Sequence, residues 1–242
     1  MTSKLPKKAV IAVTSHSAKF YPDGGINGAF YTEILHPYVA LTNSGFEVDL
    51  ASETGTLTID PYSLSPQFIS GGDVDIVGDT EHPVNKLLKG GVKKAADLTS
   101  EDYGMFFASA GFASVYDYPT ASVLQSVASD VWARGGVVAA VCHGGAIFPG
   151  AIDAETGRSI VDGLELTGFS TEADKLAGVL DKIHEDGVLT TEESAVKAGG
   201  RYVAPPSPFD DFSVTSGRLV TGANPFSAHS TAAAAIAAFE AL

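Results

Sequence analysis

The sequence predicts an α/β fold around a mostly parallel sheet. Two observations carry this reading. Short, continuously apolar runs recur at 9–13, 103–109 and 136–141, the pattern of strands buried on both faces. Between the first two strand signals lies a strand–helix–strand succession with short links, the signature of a βαβ unit.

The elements follow in order. Ala-Val-Ile-Ala-Val at 9–13 reads as the first strand, closed by Thr14 and Ser15. A Gly/Pro/Asp loop, 21–25, leads to a helix expected over 27–43. Phe30, Ile34, Tyr38 and Leu41 fall at helical spacing there, Asn27 is placed to cap it, and Asn43-Ser44-Gly45 ends it. Alternation over 46–50 gives a second strand. Residues 55–100 scatter Pro61, Pro66, Gly71, Gly72, Gly78 and Pro83, and so read as a loop-rich insertion without its own core. The strand at 103–109 ends in Ala110-Gly111. A helix is expected from Pro119 to Trp132, with Leu124, Val127, Ala128 and Val131 on one face, stopped by Gly135-Gly136. The strand at 136–141 runs directly into Cys142-His143-Gly144-Gly145. A short strand at 164–168, helices at 171–180 and 191–197, a hairpin at 212–221 turning on Ser216-Gly217, and a closing Ala-rich helix over 227–242 complete the chain. The whole, 1–242, is expected to form a single α/β domain.

The chain has 242 residues, of which 45% are hydrophobic and 18% charged, enough for a substantial core. Its 15 Lys and Arg against 29 Asp and Glu give a net charge of −14, which repels phosphate backbones and anionic lipid. Nucleic acid and membrane surfaces are therefore excluded as expected partners. The basic start precedes an apolar run too short for a signal-peptide core, and no run approaches a membrane span. One cysteine makes neither an internal disulfide nor a Cys-rich zinc site. The expected location is the cytoplasm, a reducing compartment.

That cysteine carries the chemistry. A free Cys ordinarily packs as a small hydrophobe. Cys142, however, ends a buried strand, is followed by Gly144 and Gly145, and has Ala140 before it. This is the strand–turn–helix of a nucleophile elbow with Cys in the place of Ser. A helix starting there is expected to lower the thiol pKa. His143 suits a proton shuttle, and such a His calls for a carboxylate to orient it. Glu172 and Asp174, just after the 164–168 strand, are both placed to serve. Glu33, inside an apolar helix, is either a solvent-facing residue or a partly buried carboxyl hydrogen-bonded to a thiolate. Gly111 offers an unhindered N–H as an oxyanion donor, together with an N–H at the elbow. His16, His36, His82, His184 and His229 show no metal-ligand spacing, and no phosphate-binding glycine loop is present. Neither a metal nor a cofactor is expected.

Thr32-Glu-Ile-Leu-His-Pro37, the segment 45–55, Phe106-Phe-Ala-Ser-Ala-Gly111, Asp117-Tyr-Pro119, 136–144, and 217–222 with Ser227-Ala-His-Ser-Thr231 together resemble the DJ-1/PfpI superfamily. Within it they resemble the fungal Hsp31-like branch that includes glutathione-independent glyoxalases (glyoxalase III). The resemblance covers nearly the whole chain. It implies a flavodoxin-like three-layer sandwich and a Cys-His-acid triad. Cys142 falls on the nucleophile, His143 on its histidine, Asp174 rather than Glu172 on the acid, and Glu33 on the helix glutamate that contacts the thiol. It implies conversion of methylglyoxal and similar 2-oxoaldehydes to 2-hydroxy acids such as lactate, a hydro-lyase type of reaction without glutathione or metal. Gly111, Phe112 and Gly144 are the expected substrate-binding residues. It also implies a homodimer and, as alternatives, a stress holdase for unfolded client proteins or a redox sensor in which Cys142 is oxidised. A cysteine hydrolase acting on peptides is a further alternative that the elbow allows. Two positions depart from the pattern: Phe112 stands where relatives carry His, and Gly145 where they carry Pro.

Overall fold

Val10, Phe106 and Val138 are fully buried, and so are their strand neighbours Ile11, Phe107 and Ala139, which point the other way. Both faces of the central sheet are therefore covered, as a parallel sheet requires. The computed structural model describes residues 5–242; residues 1–4, the first half of the basic start, lie outside it.

In chain order the strands are β1 (Lys8–Ala12), β2 (Glu47–Ser52), β3 (Lys93–Lys94), β4 (Met105–Ala108), β5 (Val137–Val141), β6 (Glu165–Leu166), β7 (Arg201–Tyr202), β8 (Ser213–Ser216) and β9 (Leu219–Gly222). The main sheet has the order β3-β2-β1-β4-β5-β9-β8. All its pairings are parallel except β8 with β9, the expected hairpin. From β1 the chain goes outward to β2, then returns to β4 on the other side. That reversal opens a crevice at the carboxyl ends of β1 and β4, the usual place for a site in this architecture.

The helices are α1 (Tyr31–Asn43), α2 (Gly72–Gly78), α3 (Pro83–Gly90), α4 (Ser114–Asp117), α5 (Ser122–Ala133), α6 (Thr171–Leu176), α7 (Leu180–Glu185), α8 (Thr191–Lys197) and α9 (Ala228–Glu240). α1 and α9 share one core with Ile11, Phe107 and Ala139. α5 lies over the opposite face, on Val10, Phe106 and Val138. This is the three-layer α/β sandwich, and burying each large apolar side chain contributes roughly 1.5–3 kcal/mol.

Three expectations change. α1 starts at Tyr31, with Phe30 at its N-cap; Asn27 is buried and spends its Oδ1 on the Ala18 N–H at 2.9 Å, holding the preceding loop instead. The strand near 164–168 is reduced to β6, which leaves the main sheet and pairs in parallel with β7. The helix expected over 171–180 stops at Leu176, because Gly178 adopts φ +71°, and α7 starts afresh at Leu180. The insertion, 55–100, carries α2 and α3 and returns β3 to the edge of β2. No helix among the described residues is long and apolar enough to cross a membrane.

Candidate active site

The site is built around a strained turn. β5 ends at Val141, and Cys142 takes φ +57°, the one non-glycine among the described residues with a left-handed φ. Holding an L-residue there costs about 1–3 kcal/mol, and such strain persists only where the surroundings impose it. Here they do. The Phe169 N–H donates to the Cys142 carbonyl at 3.0 Å. A Cβ on Gly144 would lie 2.4 Å from the Ala108 carbonyl oxygen, so the backbone of the turn sits directly on β4. Gly145 packs beneath Thr191, where a Cβ would reach 3.0 Å from its methyl group. The segment after the cysteine is a 3-10 helix, Cys142–Gly150. Gly144→Ala is therefore expected to lower stability by roughly 2–3 kcal/mol, read as a lower denaturant midpoint, and to lose activity in parallel as the elbow shifts.

Across the sulfur the side chains form a line. Cys142 Sγ is 3.2 Å from His143 Nδ1, and His143 Nε2 is 3.0 Å from Asp174 Oδ1. All three residues are buried. Asp174 lies on the inner face of α6, whereas Glu172, two residues earlier, is exposed. Burial thus chooses between the two acids that spacing alone leaves open. Asp174 Oδ2 has no partner among the described residues, so the imidazole is the hydrogen-bond donor that holds this carboxylate's side chain. The pairing sets the proton on Nε2 and leaves Nδ1 free to take one from the thiol. Phe112 and Phe169 cover the imidazole, with ring centroids 4.7 and 4.5 Å away.

Glu33 approaches the sulfur from α1. It is fully buried, and its Oε2 accepts the Ala110 N–H at 3.0 Å. Oε1 has no nitrogen or oxygen partner among the described residues, and the carboxyl lies within hydrogen-bond reach of the Cys142 thiol. Burial pushes the Glu33 carboxyl up to about 8, with nearby Asp60 adding to the shift. Burial outweighs the hydrogen bonds from the Cys142 thiol and the Ala110 N–H, so the carboxyl carries its proton at neutral pH beside the sulfur. The thiol itself is displaced upward, first by burial and then by Glu33, with Asp174 adding to the shift; the backbone N–H of His143 opposes this. The lowering expected from a helix terminus is thus overturned: a short 3-10 turn in a dry site does not outweigh desolvation. The groups that the structure sets against the sulfur are the His143 imidazole and the Glu33 carboxyl.

Sγ opens into a cavity of about 220 Å³, lined also by Gly111, Phe112 and His143. The Gly111 N–H has no partner among the described residues and is placed to receive an oxyanion. Gly111 has φ +144°, and a Cβ there would lie 2.2 Å from the Gly28 carbonyl oxygen, so glycine is required. Gly144 does not line this cavity; its part is packing. Phe30, Phe68, Phe169, Phe209 and Phe226 complete the apolar walls. None of these five was singled out from the sequence. The helical spacing over 27–43 marks Phe30 only as an apolar helix residue, and the other four stand far apart on loops and element ends, where no periodicity marks them.

No family model matches the chain. It is 45% identical to the glutathione-independent glyoxalase HSP31 of Saccharomyces cerevisiae, over 97% of this chain and 99% of that protein. The chain belongs to the Hsp31-like glutathione-independent glyoxalases. Glyoxalase 3 of Candida albicans is 44% identical over 96% of this chain and 98% of that one. The crystal structure of glyoxalase III from Candida albicans superposes on this Hsp31-like chain with a TM-score of 0.94, covering 97% and 98% of the two chains. The DJ-1β structure from Drosophila melanogaster, at 15% identity and a TM-score of 0.53, shares the fold.

Proposed function

We propose that the protein is a glutathione-independent glyoxalase that converts 2-oxoaldehydes such as methylglyoxal to 2-hydroxy acids such as lactate. The observation that carries this reading is the buried line from Cys142 through His143 to Asp174, facing Glu33 and opening into a small cavity. The near-full-length similarity to glyoxalases supports it.

In this reading each step falls to a named group. His143 Nδ1 takes the thiol proton as Sγ adds to the aldehyde carbon, and the Gly111 N–H meets the developing oxyanion. The imidazolium returns its proton to that oxygen, giving a hemithioacetal. Neutral His143 then removes the hydrogen on C1 as a proton. The C1 electrons pass into an enediol, and protonation at C2 yields a 2-hydroxyacyl thioester. Water adds to the thioester and expels the thiolate. The aldehyde carbon is oxidised, the keto carbon is reduced, and one water is consumed, so no outside oxidant is required. Run backward, the reaction dehydrates a 2-hydroxy acid, which places it with the hydro-lyases.

Lactate released from methylglyoxal by the purified protein without glutathione tests this reading. Stoichiometric lactate is expected; aldehyde loss without lactate, or no turnover, overturns it. Asp174→Asn is expected to lower kcat by about 10²-fold or more with little change in KM, because an amide no longer fixes the imidazole tautomer. A lactate assay on that variant checks it.

A further inference from the structure

The cavity over Cys142 is aromatic to an extent that a methyl-sized substrate does not use. Phe68 touches Phe30 and Phe226, with ring centroids 4.8 and 5.6 Å apart. Phe169 touches Phe112 and Phe209, at 5.5 and 6.3 Å. These two runs of rings line the space into which Sγ opens, with Phe209 and Phe226 at 45% and 41% exposure reaching out to solvent. The lining includes no Lys or Arg, and Gln67 is its one polar side chain apart from the Cys142–His143 pair. At a liquid-water share of ~30 Å³ each, 220 Å³ holds about seven waters, well beyond the volume of a three-carbon oxoaldehyde.

We propose that the preferred substrates are 2-oxoaldehydes bearing a bulky apolar substituent, aryl or branched alkyl, seated between the two phenylalanine runs. This deepens the glyoxalase reading and rests on it. The dicarbonyl end needs polar partners and finds them at the floor, in the Gly111 N–H and His143. Beyond that floor the lining is hydrocarbon and ring faces, with Gln67 the one polar side chain. A methyl group leaves water against those rings, whereas a phenyl or tert-butyl group displaces it. Aromatic substituents gain further from edge and face contacts with the rings. An anionic substituent finds no cation in the lining and meets a chain of net charge −14.

The test compares kcat/KM for phenylglyoxal, tert-butylglyoxal and methylglyoxal without glutathione, measuring the 2-hydroxy acid formed. Both bulky substrates are expected to exceed methylglyoxal by at least tenfold, chiefly through a lower KM. The tert-butyl compound separates cavity fit from the electronic effect of a conjugated ring. Phe226→Ser and Phe68→Ser are expected to lower the bulky-to-methyl ratio at least fivefold by raising KM for the bulky substrates; a merely structural role would depress all three alike. Turnover of methylglyoxal with a ratio of one or less overturns the preference while leaving the glyoxalase reading standing. No turnover of any of the three overturns both.

Discussion

Cys142→Ala abolishes lactate formation from methylglyoxal: the expected loss is 10³-fold or more, to the uncatalysed rate. Every covalent step passes through Sγ, and alanine offers no atom that can add to the aldehyde carbon. The fold is expected to survive. The sulfur is a small part of the core, and alanine fits the tight turn as cysteine does, keeping the φ of +57° that the packing of Gly144 on Ala108 and the Phe169–Cys142 hydrogen bond impose. The melting temperature should therefore stay within a few degrees of the parent protein. Lactate formation surviving in the alanine variant overturns the mechanism. Suppression of client aggregation measured on the same variant separates a holdase role, which needs no thiol, from oxidation sensing, which does.

The central strands were legible because burial on both faces writes itself as unbroken apolar runs; β4 and β5 lie within those runs, and β1 shares residues 9–12 with its own. The elbow was legible for a related reason. The need for small residues around a left-handed cysteine fixes Ala140 and Gly144 in the local sequence. Features set by distant packing were not legible. Asn27 has the chemistry of a helix cap, yet the loop carrying Ala18 takes its side chain. Glu172 and Asp174 differ only in which side of α6 they occupy, a fact decided by where that helix rests. The thiol environment inverted for the same reason: sequence shows the turn next to Cys142 but not how thoroughly the site is dried. The phenylalanine cavity is assembled from positions 30, 68, 112, 169, 209 and 226, which share no spacing and meet only in three dimensions.

Glu33 sets stability against function, and Glu33→Gln exposes both. Its carboxyl is raised from 4.5 to about 8 by burial. Below pH 4.5 the group is protonated in folded and unfolded chains alike and costs nothing. Between 4.5 and about 8 the unfolded chain releases this proton while the folded chain keeps it, so stability falls as pH rises; above about 8 the loss levels off. Glutamine cannot ionise, and its amide can accept from Ala110 and donate toward sulfur. The melting temperature of Glu33→Gln should thus match the parent near pH 4.5 and exceed it by several degrees at pH 8, a gap of roughly 4 kcal/mol. Activity moves the other way. In the parent, loss of the Glu33 proton near pH 8 places a second negative charge against the thiolate and removes its donor, so kcat should fall on the alkaline side. In Glu33→Gln that alkaline limb should vanish, while the amide, a poorer donor than a carboxylic acid, lowers kcat at pH 7 by about tenfold. Thermal melts and lactate rates across pH 4.5–9 check both halves. A melting difference that does not grow with pH would show that Glu33 is already ionised in the folded protein, and an unchanged alkaline limb would remove it from the thiol's chemistry.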